Sequence, residues 1–284
     1  NYYSFKPDSY LEGGTNEIFN SVYLYAGAQG QYEKYLKWDA KGLYTFLGHE
    51  INDFGIEANV SFSAYPFRRH RNSPLTVNAH FETTLKEPDY YQQHMLTNHY
   101  RWDNEFSKTY RFYVGGEVAY PTQWVKPRLK VSFENITNHI YFDNQGLPQQ
   151  HAGNIQVLAA DLQLNITTPW VNLDNSVVYQ HSSSEYIPLP ALTLYNNLYY
   201  HGTWVKALDV QIGVDMRLFT KYYAPVLNPA LGQFCVQQVE KVGNYPVMNV
   251  YANFYVKHIR LKLFAQYQHF NASFMNKQYF AMPG

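Results

Sequence analysis

Lys37, Asp39 and Lys41 stand at alternate positions, and Leu36, Trp38, Ala40 and Gly42 around them are apolar or small. The same spacing recurs along the chain. Glu57 sits between Ile56 and Ala58, while His80, Glu82 and Lys86 alternate with Ala79, Phe81 and Leu85. Arg111 and Glu117 face away from Phe112 and Val118, and Lys130 and Glu134 oppose Leu129, Val131 and Phe133. Asp161 opposes Leu162, and Asp209, Asp215 and Arg217 alternate with Leu208, Val210, Ile212, Val214, Met216 and Leu218. Lys262 falls in a weaker repeat over 260–270. Period two puts each polar set on one face of an extended strand. Charges of both signs facing an aqueous lumen would set ion preference and the field along a channel. Paired across strands, they would only keep an interior polar. Mixed signs suit both, and the spacing does not choose.

Other chemistries find less support. There is no G-x-S-x-G, no phosphate-cradling loop and no H-E-x-x-H, since His49-Glu50 lacks its second histidine. His94 and His99 share neither strand parity nor metal-ligand spacing. His181 beside Ser182, Ser183 and Ser184 reads as a serine-rich loop, because the nearby carboxylate, Glu185, sits on no rigid element. Arg68, Arg69, His70 and Arg71 form a basic cluster that could meet lipopolysaccharide or an acidic partner, although a solvated loop tip is the simpler reading. Sequons at Asn59, Asn135, Asn165 and Asn271 are read as chance, since two fall inside strands. A single cysteine, Cys235, permits no intrachain disulfide. No catalytic residue, metal or cofactor is implied.

Composition narrows the class. Acidic and basic residues balance, so nothing argues for a nucleic-acid partner. Charged residues make up 15% of the 284 positions, below the roughly 25% of soluble proteins, while aromatic residues reach 18%. The 28 tyrosines suit long boundaries between apolar and aqueous media, the phenol being apolar in its body and wet at its tip. No apolar window is long enough for a transmembrane helix.

The elements that must position the charged rows are strands. The stretch "ALDVQIGVDMRLFTKYYAP" (207–225) alternates for longer than the usual strand of about five or six residues. About 13 such segments follow one another, with weaker ones at 20–29, 94–106, 171–182, 191–202 and 260–270. None is a continuous apolar run, so the sheet is antiparallel. Connections at 49–53, 167–170, 202–205 and 257–260 are tight, whereas those at 66–74, 142–154, 182–190 and 222–246 are long. Short turns at one end and long loops at the other mark an outer-membrane barrel. The short connections at 29–32 and 106–108 fall on the outer side of that scheme, and the medium turn at 121–127 falls on the inner side. Trp124, Trp170 and Trp204 sit at predicted periplasmic turns, as an interfacial girdle requires. A soluble sandwich also alternates, but with turns every 8–12 residues rather than a repeat of roughly 20–22.

Four segments carry a family resemblance: "TNHYRWDNEF" (97–106), "TKYYAPVLNPALGQF" (220–234), "VGNYPVMNVYANFYVK" (242–257) and "NKQYFAMPG" (276–284). They resemble the putative porin family of Bacteroidota outer membranes. The resemblance implies a barrel and carries over no catalytic residues. Residues 1–284 are thus expected to form a single all-β domain, a transmembrane antiparallel up-and-down barrel of about 14 strands, with pore function or, alternatively, a plugged docking role. The expected surroundings are outer-membrane lipid and lipopolysaccharide, with a surface lipoprotein or an outer-membrane complex as candidate partner. The chain starts at Asn1 without Met, and an odd strand count predicts a returning strand after Gly284, with the N-terminus left open.

Overall fold

A computed structural model describes residues 2–4, 16–66 and 73–273. The chain is an all-β antiparallel sheet of 14 strands with almost no helix. Twelve of these strands follow chain order along the sheet. They are β1 (Ser21–Tyr32), β2 (Leu36–Gly48), β3 (Phe54–Ala64), β4 (Leu75–Lys86), β5 (Thr109–Ala119) and β6 (Val125–Phe142). Then come β7 (Pro148–Thr167), β8 (Val171–Ser182), β9 (Leu192–Trp204), β10 (Leu208–Phe219), β11 (Val247–Val256) and β12 (Leu261–Tyr267). The other two, Val226–Asn228 and Gln233–Cys235, form a small hairpin in the loop after β10 that touches the end of β6. Among the described residues β1 and β12 are the ends of the path.

Each neighbour continues the last one's alternation, because residues opposite one another in a ladder share a face. Val214 is flanked by Leu198 and Val250, and Asp215 next to it is flanked by Asn197 and Asn249. The apolar face carries Ile56, Phe62, Val114, Leu129, Leu162, Leu198 and Leu263, all exposed. Buried apolar side chains among the described residues are few; Tyr90, Trp102 and Tyr245 lie in connections outside the main sheet, and Cys235 lies in the small hairpin after β10. A sandwich would bury its aliphatic face against a second layer. Here that face is largely exposed, although Val210 is buried.

One predicted strand is absent. The 94–106 segment forms instead a hairpin of two three-residue strands, His94–Leu96 and Arg101–Asp103, outside the main sheet, preceded by a short helix, Tyr90–Gln93. Local hydrogen bonding explains the change. The Asp89 carboxylate accepts the Tyr91 N–H at 2.9 Å, and Gln92 reaches back to the Asp89 N–H at 3.2 Å, a capping box. The Tyr100 N–H donates to the Thr97 hydroxyl at 3.0 Å and closes the hairpin turn. Trp102 is then buried, its indole N–H donating to the Tyr91 carbonyl at 3.1 Å.

Removing that crossing reverses the direction assigned to every strand before it. Connections 33–35, 120–124, 168–170, 205–207 and 257–260 share one end of the sheet, the turn end. Connections 87–108, 183–191 and 220–246 share the other, the loop end. The short connection after β1 therefore fits the scheme it had violated, while the medium turn before β6 stays at the turn end, where it was expected. In exchange, 49–53 moves to the loop end and 65–74 to the turn end. Among the described residues the long strands number twelve rather than the thirteen counted from the sequence, and the expected returning strand after Gly284 lies outside the described residues, as do residues 274–284.

The predicted loop at 142–154 is also corrected. β6 and β7 pair from Val125↔Ile166 out to Phe142↔Pro148, leaving only 143–147 as a loop. The outer part has no long apolar row, so alternation could not reveal it; its backbone ladder is joined by side-chain bonds such as Thr137 to Asn154 at 2.7 Å and Gln150 to the Ser107 carbonyl at 2.7 Å. A bulge at Asn138, whose φ is 59°, shifts the register there, and Asn is among the few residues that tolerate this conformation.

Gly213 tests the sheet's packing. It lies between Tyr199 and Tyr251, and a Cβ there would sit 2.7 Å from the Tyr199 Cβ and from the Tyr251 ring. Gly213→Val should destabilise the sheet by about 1–3 kcal/mol, as overpacking does. Urea titration of the folded protein in detergent measures it, with Gly116→Val, where nothing lies within 4 Å, as the control.

Candidate functional site

The ladder registers put every predicted lumen residue on one face of the sheet. Lys37, Asp39 and Lys41 lie opposite Ser61, Asn59 and Glu57. Asn59 and Glu57 lie opposite His80 and Glu82, and Lys86 lies opposite Thr109. Glu82 leads through Tyr113 to Glu134, and Glu117 lies opposite Lys130, which lies opposite Asp161. Arg111 shares the face of Tyr113 and Glu117 on β5, and Arg217 and Asp209 share that of Asp215 on β10. Lys262 joins them opposite Tyr255.

Two chemistries divide this face. From β2 to β6 it is a lattice of charges. Lys41 bridges Glu57 at 2.7 Å, and Asn59 donates to Asp39 at 2.9 Å while its carbonyl meets the His80 ring at 2.5 Å. His80 lies 3.8 Å from Glu82. Arg111 joins Glu82, at 3.5 Å, to Glu134, to which it donates a hydrogen bond. Arg128 bridges Glu117 at 2.5 Å, and Asn78 adds a bond to the same carboxylate at 3.1 Å. From β7 to β12 amides and phenols prevail. Asp161 accepts from Gln163 and Ser176 at 2.9 and 3.0 Å, and Asp215 accepts from Asn249 at 2.8 Å. The Arg217 guanidinium lies 5.6 Å from the Tyr195 ring centre, and Lys257 bridges Asp209 at 2.8 Å.

The two readings left open by the spacing thus meet in one lattice. Most charges pair across strands, yet these pairs stay partly exposed on a shared face and so keep a field above it. Partly exposed pairs contribute little stability, with a median of roughly 0–1 kcal/mol.

Arg128, Asp174 and Lys257 also belong to this face or its rim and were missed. Arg128 precedes the first apolar residue recognised in its strand, although its spacing of two from Lys130 marks the same side. Asp174 lies in a weakly alternating strand, and Lys257 in a turn whose partner only the register reveals.

Trp124, Trp170 and Trp204 all border connections at the turn end and are exposed there. The serine cluster is structural. The Ser182 hydroxyl donates to the Ser184 carbonyl at 2.8 Å, and the Ser183 hydroxyl accepts the Gln156 N–H at 2.8 Å. His94 meets Asp103 at 2.6 Å, and among the described residues no group of three or more acidic, histidine or cysteine side chains could hold a metal. Burial, with Asp143 nearby, pushes the Cys235 thiol above its ordinary value despite a bond from Asn228, so it is a poor nucleophile. The basic cluster at residues 68–71 lies outside the described residues.

The connections at the loop end pack on one another. Asn228 donates to the Tyr100 hydroxyl at 2.7 Å, Trp102 meets Phe142 edge-on at 6.2 Å, and the Val236 N–H donates to the Phe142 carbonyl at 2.8 Å. Gly146, at φ 81°, lets the 143–147 turn approach Asn228, Leu231 and Tyr100 too closely for any Cβ.

Against this geometry, the family model described as "Putative porin" matches residues 2–284. The chain belongs to that family. Membership extends the resemblance seen in the four quoted segments to nearly the whole sequence, including residues before β1. A search of curated proteins finds no match. For a member of a porin family, a two-faced sheet with a charged lattice on one side is the arrangement to be tested for ion preference. Arg111→Met should cost about 1 kcal/mol or less in a urea titration and, by leaving Glu82 and Glu134 uncompensated, shift the reversal potential across a bilayer toward cation preference.

Proposed function

We propose that the sheet closes into an outer-membrane β-barrel whose polar face lines a passive, non-enzymatic pore for small solutes or ions. The observation that carries this reading is the inversion of burial. Val214 on the apolar face is 37% exposed, while its neighbour Asp215 is 8% exposed. An aliphatic face left open on strand after strand needs an apolar medium, and lipid supplies one. Strands whose edge groups would otherwise lie bare in lipid, at several kcal/mol each, support closure. Trp124, Trp170 and Trp204 would then mark the interface at the periplasmic end. Twelve described long strands stand between the eight that side chains fill and the 16–18 of open porins, so a narrow lumen follows.

The packed connections at the loop end support the 222–246 segment as the constriction. A second reading, a docking subunit with a plugged lumen, draws on the same segment, since Val226, Phe234 and Val239 are exposed there, Val239 to 90%.

Two measurements test these readings. Val214→Arg should lower stability in lipid vesicles by about 2–4 kcal/mol, with Asp215→Asn costing far less because an amide oxygen can still accept from Asn249. Equal tolerance removes the lipid assignment. Shortening residues 227–241 should raise single-channel conductance; unchanged conductance with loss of a co-purifying protein identifies a docking loop instead.

A further inference from the structure

Phe264 is a strongly exposed aromatic side chain on the polar face. It lies opposite Asn253, between Lys262 and Gln266 on the same side of β12, and is 84% exposed. Beneath it a shallow depression of about 320 Å³ is lined by Asn197, Gln211, Asp215, Tyr251 and Asn253. That volume is at the lower end of small-molecule sites, roughly 300–1,000 Å³.

The lining side chains are already oriented. The Asn253 amide donates to the Gln211 carbonyl at 3.2 Å, Gln211 donates to the Tyr251 hydroxyl at 3.4 Å, and Tyr251 donates to the Asn197 carbonyl at 2.9 Å. Asn253 and Gln211 each commit one of two amide N–H groups to this chain, so donors and acceptors are left toward the depression. Side chains that both donate and accept match hydroxyl groups, which do the same. An isolated aromatic ring offers its negative face to C–H groups of slight positive charge. The Asp215 carboxylate in the floor disfavours anions, and the nearest guanidinium, Arg217, is turned to Tyr195.

A solute with a ring of hydroxyls around a C–H face and no charge meets all of these demands. We infer that the β9–β12 sector of the polar face is a binding patch for neutral oligosaccharides. Phe264 stacks on a sugar ring, and Asn197, Gln211 and Asn253 take its hydroxyls. As a translocation subsite the patch rests on the pore reading above; as a binding site it does not.

Maltohexaose is the probe, with polyethylene glycol of matching size as the control. Calorimetry on the detergent-solubilised protein should give saturable maltohexaose binding, weakened roughly tenfold by Phe264→Ala and, independently, by Gln211→Ala. Heat no greater than that of the polymer overturns the patch, as does binding that neither variant weakens. Channel recording separates the two readings. Conductance steps that maltohexaose does not block saturably overturn the patch as a translocation subsite and leave the pore standing. Calorimetric binding without any steps supports the patch and overturns the pore.

Discussion

Everything in this molecule depends on strand register. With a side-chain period of two, a slip of one residue between neighbouring strands would carry every charge to the apolar face and every aliphatic group to the polar one. Backbone hydrogen bonds supply the adhesion, but they are indifferent to which face is which. What selects the register is the pair of rows themselves. Leu198, Val214 and Val250 must continue one another on one side while Asn197, Asp215 and Asn249 do so on the other. Tight turns such as 168–170 and 205–207 fix the offset at one end and leave the loop end free to elaborate.

The division of the polar face follows from that constraint. Strands β2 to β6 carry charges within reach across the ladder, so Lys41 finds Glu57 directly opposite and Arg111 finds Glu82 and Glu134 diagonally, two residues along each neighbouring strand. Strands β8 to β11 carry amides and phenols, and Tyr251 lies over Gly213 because that glycine leaves room for it. One sector therefore supplies a fixed field and the other a fixed set of hydrogen-bonding groups.

Alternation made the sheet legible in the sequence wherever a strand has one apolar and one polar face. It placed Lys37, Glu117, Asp161 and Asp215 on the correct side before any pairing was known, because parity within a strand needs no partner. It failed where a strand has the same surroundings on both faces, as in the outer part of β6 and β7, whose Asn, Gln and His residues read as loop. It also failed at 94–106, where aromatic residues imitate a strand but Asp89 and Thr97 fold the chain locally. That single error propagated, since the side of each connection depends on the count of crossings before it. Partners such as Lys257 for Asp209 were invisible because register across strands is a property of the fold rather than of any one segment.

The long hairpin of β6 and β7 has a consequence for how the sheet assembles. Its strands form the longest ladder in the molecule, and only residues 143–147 separate them. Closing so short a loop costs little chain entropy, and each further pair then adds contacts without a new closure. Among the hairpins of the sheet this one gains the most pairing from a single short closure, although the turns at 33–35, 168–170 and 205–207 are shorter, so it is the natural nucleus. Both its edges are bare when it forms, and each fits the register of one neighbour, β5 on one side and β8 on the other. Growth outward from the middle of the chain leaves β1 and β12 for last, so synthesis order and folding order run differently.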